Sequence, residues 1–218
     1  MSTSTRLLLT GIFLITGVLF PSATWAKPKK VPGQIIDNDG HVIDVFFKMS
    51  STPHFSALQT RVVYYDIADQ KHETNADEAQ EIRFTIGTKQ YRMISMPNEW
   101  NQRDQGLSAT MPNNIFVYLE IDGPLRLYHV FEVRRSPGGM GGPGLTVALG
   151  TSYERDRYYL QRDGEMFLVR GISFRKDMME YLVDCPIVIK PIESRAWTKE
   201  NLIQIVKTYN QHCDYNKN

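Results

Sequence analysis

From Gly139 the chain runs glycine, four residues, Gly144, then Leu145 and Thr146, the spacing of a phosphate-binding loop with leucine in the place of its lysine. Such a loop works because backbone N–H groups cradle phosphates, a lysine meets the outer phosphates and a Ser or Thr hydroxyl holds magnesium. Leu145 brings no charge, and "TVALGTSY" after it shows none of the helical stripe that must follow the loop. The stretch "RRSPGGMGGPGLT" is therefore expected to be a surface connection rich in Gly and Pro. Gly139, Gly141 and Gly144 remain candidates for the rim of a binding surface.

Other chemistry-bearing residues form no set. Histidines stand at 41, 54, 72, 129 and 212. His72-Glu73 opens like a helical zinc-protease pattern, but the second histidine would fall on Ala76. His212 lies beside Cys213 without the further ligands a metal needs. His129 falls in a strand pattern and reads as a packed or half-exposed residue rather than a base. Ser152 and Ser173 each follow a glycine by two positions, yet the closing glycine of a nucleophile elbow is replaced by Glu154 and Arg175. Glu154 and Asp156 alternate with Arg155 and Arg157, the pattern of a solvated strand end. Trp100 sits in the polar stretch "PNEWNQRDQGLSATMPNN", longer than an ordinary connection. Its ring can stack on a sugar or a peptide, or fold back to pin the loop. No catalytic set, metal or cofactor is expected. The candidates for binding are Trp100 and the three glycines, and the candidate partners are an envelope protein, a peptide or a glycan.

The address is more legible. Arg6 precedes an apolar run from Leu7 to Phe20, followed by Pro21 and "SATWA". These are the parts of an export signal, with cleavage expected after Ala26. A retained anchor is the alternative, but the run falls short of the roughly 20 residues that span a bilayer. Residues 1–26 are thus a signal peptide, 27–32 a basic linker and 33–218 a single domain, exported to the periplasm or secreted. The formal charge of the whole chain is +1, and removing Arg6 balances it. A balanced chain gives no electrostatic case for nucleic acid or anionic lipid. Cys185 and Cys213 are the only cysteines, and an oxidising compartment predicts one disulfide between them. Free thiols and an intermolecular bond are the alternatives.

These residues must be carried on strands first and helices after. "GQIID" and "HVIDVFF" flank Asn38-Asp39-Gly40, and "EIRFTI" and "QYRMISM" flank Gly87-Thr88-Lys89. "IFVYLEI" and "LRLYHVFEV" flank Asp122-Gly123-Pro124, and "RYYLQ" and "MFLVR" flank Asp163-Gly164-Glu165. Gly, Asn and Asp supply the positive φ that short hairpin loops need, so residues 33–170 read as an antiparallel meander. "RVVYYDI" adds a strand. In "LRLYHVFEV" both faces mix polar and apolar groups, and the pattern leaves open which one is buried. After Gly171 the period becomes helical: Phe174, Met178, Tyr181, Leu182 and Cys185 mark one helix stopped by Pro186. A second begins at Thr198 as N-cap, with Leu202, Ile205, Val206, Tyr209 and Cys213 as its stripe. The expected class is α+β: an antiparallel β meander, as a sheet or a partly open barrel-like roll, followed by two C-terminal helices. A transmembrane β-barrel fits poorly, because most strands are shorter than the 9–11 residues such strands need and the chain ends in polar helices.

"GQIIDNDGHVIDVFF", "EIRFTIGTKQYRMIS", "FVYLEIDGPLRLYHVF" and "YLVDCPIVIKPIESRAWTKENLIQIVKTYNQHC" together resemble a group of uncharacterised exported β-rich proteins of Bacteroidetes-type bacteria. The most specific part is Asp184-Cys185-Pro186 followed by Tyr209-Asn210 and Cys213. That group has no assigned activity, so the resemblance implies no functional residues. The expectation is an exported protein that binds, without catalysis, at the cell envelope. A hydrolase whose site is assembled only in three dimensions is the alternative.

Overall fold

The computed structural model describes residues 29–49, 55–98, 113–135 and 152–213. Ten strands form one antiparallel sheet: β1 (Lys29–Asp37), β2 (Val42–Met49), β3 (Val62–Tyr65), β4 (Lys71–Thr74), β5 (Ala79–Ile86), β6 (Lys89–Pro97), β7 (Asn114–Ile121), β8 (Arg126–Arg135), β9 (Ser152–Arg162) and β10 (Glu165–Leu168). Their order is β10-β9-β8-β7-β6-β5-β1-β2-β3-β4, and the sheet is open. The four hairpins expected from turn residues are all present. Gly40, Gly87 and Gly164 take positive φ at three of the turns, as does Asp163.

One connection departs from the meander. β4 is followed by β5, which lies across β3, β2 and β1 from it. Strands about 4.8 Å apart would place β4 and β5 about 19 Å from each other in a flat sheet. Only residues 75–78 join them, and these are wound into a turn in which Asn75 O accepts from the N–H groups of Glu78 and Ala79 at 3.2 Å. The sheet must therefore curl until the end of β4 meets the start of β5. Val31, Ile35, Val45, Phe47, Val62, Ile82 and Phe84 fill the inside of this roll.

Among the described residues there are four helices: α1 (Phe55–Leu58), α2 (Phe174–Tyr181), α3 (Pro186–Glu193) and α4 (Leu202–His212). The last three pack on the same sheet face as the inside of the roll. Their buried residues, Met178, Leu182, Val188, Ile192, Ile205, Val206 and Tyr209, meet Leu125, Leu127 and Leu160. A third cluster, with Val117, Tyr128, Val130 and Tyr159, lies on the opposite face. Both faces of β8 are therefore buried from Leu127 to Val130, which is why the alternation there did not single out one.

Two expectations need correction. Pro186 starts a helix rather than ending one, and "PIVIKPIE" is α3 and not a connection. Proline lacks an N–H that the first helical position does not use. So, among the described residues, three helices follow the sheet. The basic linker is also shorter than expected, because Lys29 and Lys30 already pair with Met49 and Lys48 in the β1–β2 ladder. Lys30 forms an ion pair with Asp69 and lies 5.6 Å from the Tyr65 ring centroid. Its charge is used within the sheet.

Candidate binding cleft

The cleft arises where β7 changes partner. β7 pairs with β6 from Asn114 to Tyr118, opposite Pro97 to Met93, and with β8 from Tyr118 to Ile121. Tyr118 is the one described residue of β7 aligned with both neighbours. On each side of it the sheet parts. Toward the amino end of β7, Gln59 fills the gap just after α1. Its main-chain oxygen accepts from Phe116 N–H at 2.8 Å, and its Oε1 accepts from Phe131 N–H at 2.6 Å. One buried glutamine thus satisfies two strand donors that would otherwise lack partners.

Beyond the other side of Tyr118, the β5–β6 and β7–β8 hairpin tips diverge and leave a cleft of about 440 Å³. Lys89, Arg92, Tyr118 and Glu120 line it from the sheet, and Ile203 and Lys207 from α4. Two ion pairs cross it: Lys89 Nζ to Glu120 Oε1 at 3.7 Å, and Arg92 Nη1 to Asp122 Oδ2 at 2.7 Å. Arg92 also donates to Glu81, whose other partner is Arg83.

Behind the cleft, a row of rings runs across the strands. Ring centroids lie 4.9 Å apart for Phe55–Phe131, 3.9 Å for Phe131–His129 and 4.5 Å for His129–Tyr158. Phe55 also stacks on Tyr118 at 5.6 Å. Cations sit at both ends, Lys89 over Tyr91 at 4.9 Å and Lys199 over Tyr158 at 5.8 Å. Lys199, Ile203 and Lys207 are spaced by four, so they form one stripe along the 3₁₀ turn Lys199–Asn201 and α4. Thr198 starts this segment as expected, its N–H donating to Asn201 Oδ1 at 2.9 Å.

His129 is buried between two carboxylates. Its Nε2 lies 2.8 Å from Asp156 Oδ1, and its Nδ1 lies 3.8 Å from Glu120 Oε2. The second distance is longer than a hydrogen bond. Burial pushes the Glu120 carboxyl up, but His129 and Lys89 outweigh it and leave the group below its ordinary range. Burial pushes the Tyr158 hydroxyl up, and Asp156 and Glu120 push it further. The cleft can thus present a fixed carboxylate, lysine ammonium groups and the exposed Ile203 to a polar ligand. The pairing of His129 with Asp156 is also the arrangement of a base and its orienting acid.

Trp100, Gly139, Gly141 and Gly144 lie outside the described residues, as does the signal segment. The sequence pattern singled out none of Lys89, Tyr118, Glu120, Ile203 and Lys207. The available signal was a charged residue on an otherwise apolar strand face, as Glu120 is beside Phe116 and Tyr118. Asp37, Asp39 and His41 come close enough to hold an ion, but Asp37 Oδ1 already accepts from the N–H groups of Asp39 and His41 in the β1–β2 turn. That cluster builds the turn.

The most specific motif proves to be a clamp. Cys185 and Cys213 form a disulfide with Cα atoms 5.5 Å apart. Asp184 takes two bonds from Arg162 of β9, at 2.8 and 3.0 Å, and one from the Tyr209 hydroxyl at 2.6 Å. Asn210 pairs with the backbone of Leu125 in both directions at 2.9 Å. A β-carbon on Gly123, whose φ is 148°, would lie 2.6 Å from Asn210 Nδ2. Asp184 and Tyr209 thus tie the helices to β9, Asn210 ties α4 to the residue before β8, and the disulfide joins the helical segment to itself.

No family model, curated protein or solved structure matches the chain. Among the described residues no helix is long and apolar enough to cross a membrane.

Proposed function

We propose that this chain is an exported protein that binds a glycan or peptide of the cell envelope without catalysis, in the cleft beside α4. The observation that carries this reading is the cleft itself. Aromatic and imidazole rings lie behind it, Lys89 and Lys207 line it, and the exposed Ile203 forms an apolar lip. Apolar surface beside a few placed polar groups suits apolar contact and hydrogen bonding of such ligands. The disulfide is consistent with an oxidising compartment.

Amide spectra during titration with N-acetylglucosamine oligomers and with short peptides test the cleft. Shifts should gather at Lys89, Glu120 and Lys207 and weaken in Ile203→Asp, whose side chain is exposed. Shifts scattered elsewhere, or none from either ligand class, would reject the reading. Export is tested separately, by sequencing the amino terminus of the protein from an envelope fraction; Lys27 is the expected first residue. The His129–Asp156 pair favours a second reading, a hydrolase with His129 as base. Turnover of a bound oligomer by the native chain, lost in His129→Asn, would select that reading.

A further inference from the structure

The sheet has a second opening, on the side of β9 away from β8. β8 covers the whole length of β9, pairing from Arg126↔Gln161 to Arg135↔Ser152. β10 covers only Tyr159 to Arg162. After Leu168 the chain leaves the sheet toward α2, making one more bond from Val169 N–H to Tyr158 O at 2.9 Å. That bond fixes direction, because the N–H and C=O of one strand residue point to the same side and alternate residues share it. Tyr158 faces the β10 side, so the main-chain groups of Asp156 and Glu154 face it too. Among the described residues no strand pairs with them. A cleft of about 580 Å³ lies along this edge, between Arg155–Arg157 and the departing segment from Leu168 to Ser173.

An open strand edge is a template for another strand. Charge narrows the choice of partner. Arg155, Arg157, Arg170 and Lys199 line the cleft with one acid, Asp156, which is engaged by His129. Arg170 is held by Asp177 and Arg157 is buried, so the exposed Arg155 and the partly exposed Lys199 carry its accessible charge. A second copy of this chain is disfavoured by register. Outward-facing residues pair only with outward-facing ones, so an antiparallel self-pairing centred on Asp156 sets Arg155 against Arg157. One centred on Arg155 sets that arginine against itself. Like charges directly opposite destabilise a ladder. An extended segment with acids at alternate positions sets one of them against the exposed Arg155 while its backbone bonds to Asp156 and Glu154.

We infer that the amino-terminal half of β9 is a strand-addition site for an extended acidic peptide segment, which continues the sheet where β10 stops. This surface is distinct from the cleft beside α4 and does not rest on its reading.

The test uses the mature chain and a fluorescent peptide of alternating Thr and Glu. With Glu opposite the arginines, the Thr amides face β9 and the Glu amides face away. N-methylation of every Thr should weaken binding at least about tenfold, whereas N-methylation of every Glu should leave it nearly unchanged. A Lys-for-Glu peptide should also bind at least about tenfold more weakly. Arg155→Glu, an exposed change, should cost about fivefold without altering the melting temperature. The Asp156 amide should gain protection from hydrogen exchange when the peptide binds. Equal effects of the two methylated series would overturn strand addition. So would absence of binding up to about 1 mM, or a dimer of the chain that the peptide does not disturb.

Discussion

His129 shows how one side chain can look ordinary along the chain and become a junction in the fold. In "LRLYHVFEV" it interrupts an apolar alternation; in the sheet it lies between Glu120 and Asp156 and stacks on Phe131 and Tyr158. Glu120 and Asp156 come from β7 and β9, so local pattern could not bring them together. Arg162 makes the same point at the clamp. Burial works against its charge, but Asp184 and Tyr209 more than restore it, and its protonated form is favoured. Asp184 is pushed up by burial and pulled further down by Tyr209 and Arg162, so it ends below its ordinary value of 3.8. A carboxylate with a depressed folded pKa adds stability above its unfolded pKa and loses it as pH falls through the folded one. Asp184→Asn should therefore cost about 1–2 kcal/mol at pH 7, less than a fully buried pair because Asp184 is a third exposed. The difference from the native chain should close below pH ~4, as urea melts at several pH values will show.

At the level of elements, much of the fold was legible because turn chemistry is local. Asn38-Asp39-Gly40, Gly87-Thr88 and Asp163-Gly164 announce their hairpins through the backbone they permit. β4 and α1 escaped notice because four residues carry too little period, and α3 because Pro186 fits a helix start as well as a stop. The return of β5 to β1 was not legible, since nothing local specifies a partner so distant in the chain. It left one trace, Gly33. A β-carbon there would lie 2.3 Å from Arg83 O and 2.4 Å from the Phe47 ring. Gly33→Ala should destabilise the chain by about 1–3 kcal/mol in chemical melts, because strand and ring must both give way. Gln59→Met should also cost about 1–3 kcal/mol, because it removes the acceptor from Phe131 N–H while filling similar space. An unchanged melt for that variant would show that the gap between β7 and β8 closes without its plug.

Across the whole molecule, two cores share one sheet face and meet near Tyr118. One is the roll around Phe47, Ile82 and Phe84; the other is the helical layer around Leu127, Leu182 and Ile205. Local opening should respect that division. Replacing both Cys185 and Cys213 with serine should cost about 3 kcal/mol on the chain-entropy estimate. Hydrogen exchange should then quicken in β9, β10 and α2–α4 while Ile35, Val45 and Ile82 keep their protection. Equal loss in both cores would show that they open as one unit. A last consequence follows from β1, which is held by β2 on one side and β5 on the other. On the export reading, a cut after Ala26 leaves two residues before this strand begins. A peptidase needs a pliable stretch on both sides of the bond it cleaves. Leader removal must then come before β1 is locked between its neighbours, so the order of maturation is trimming first and sheet closure second.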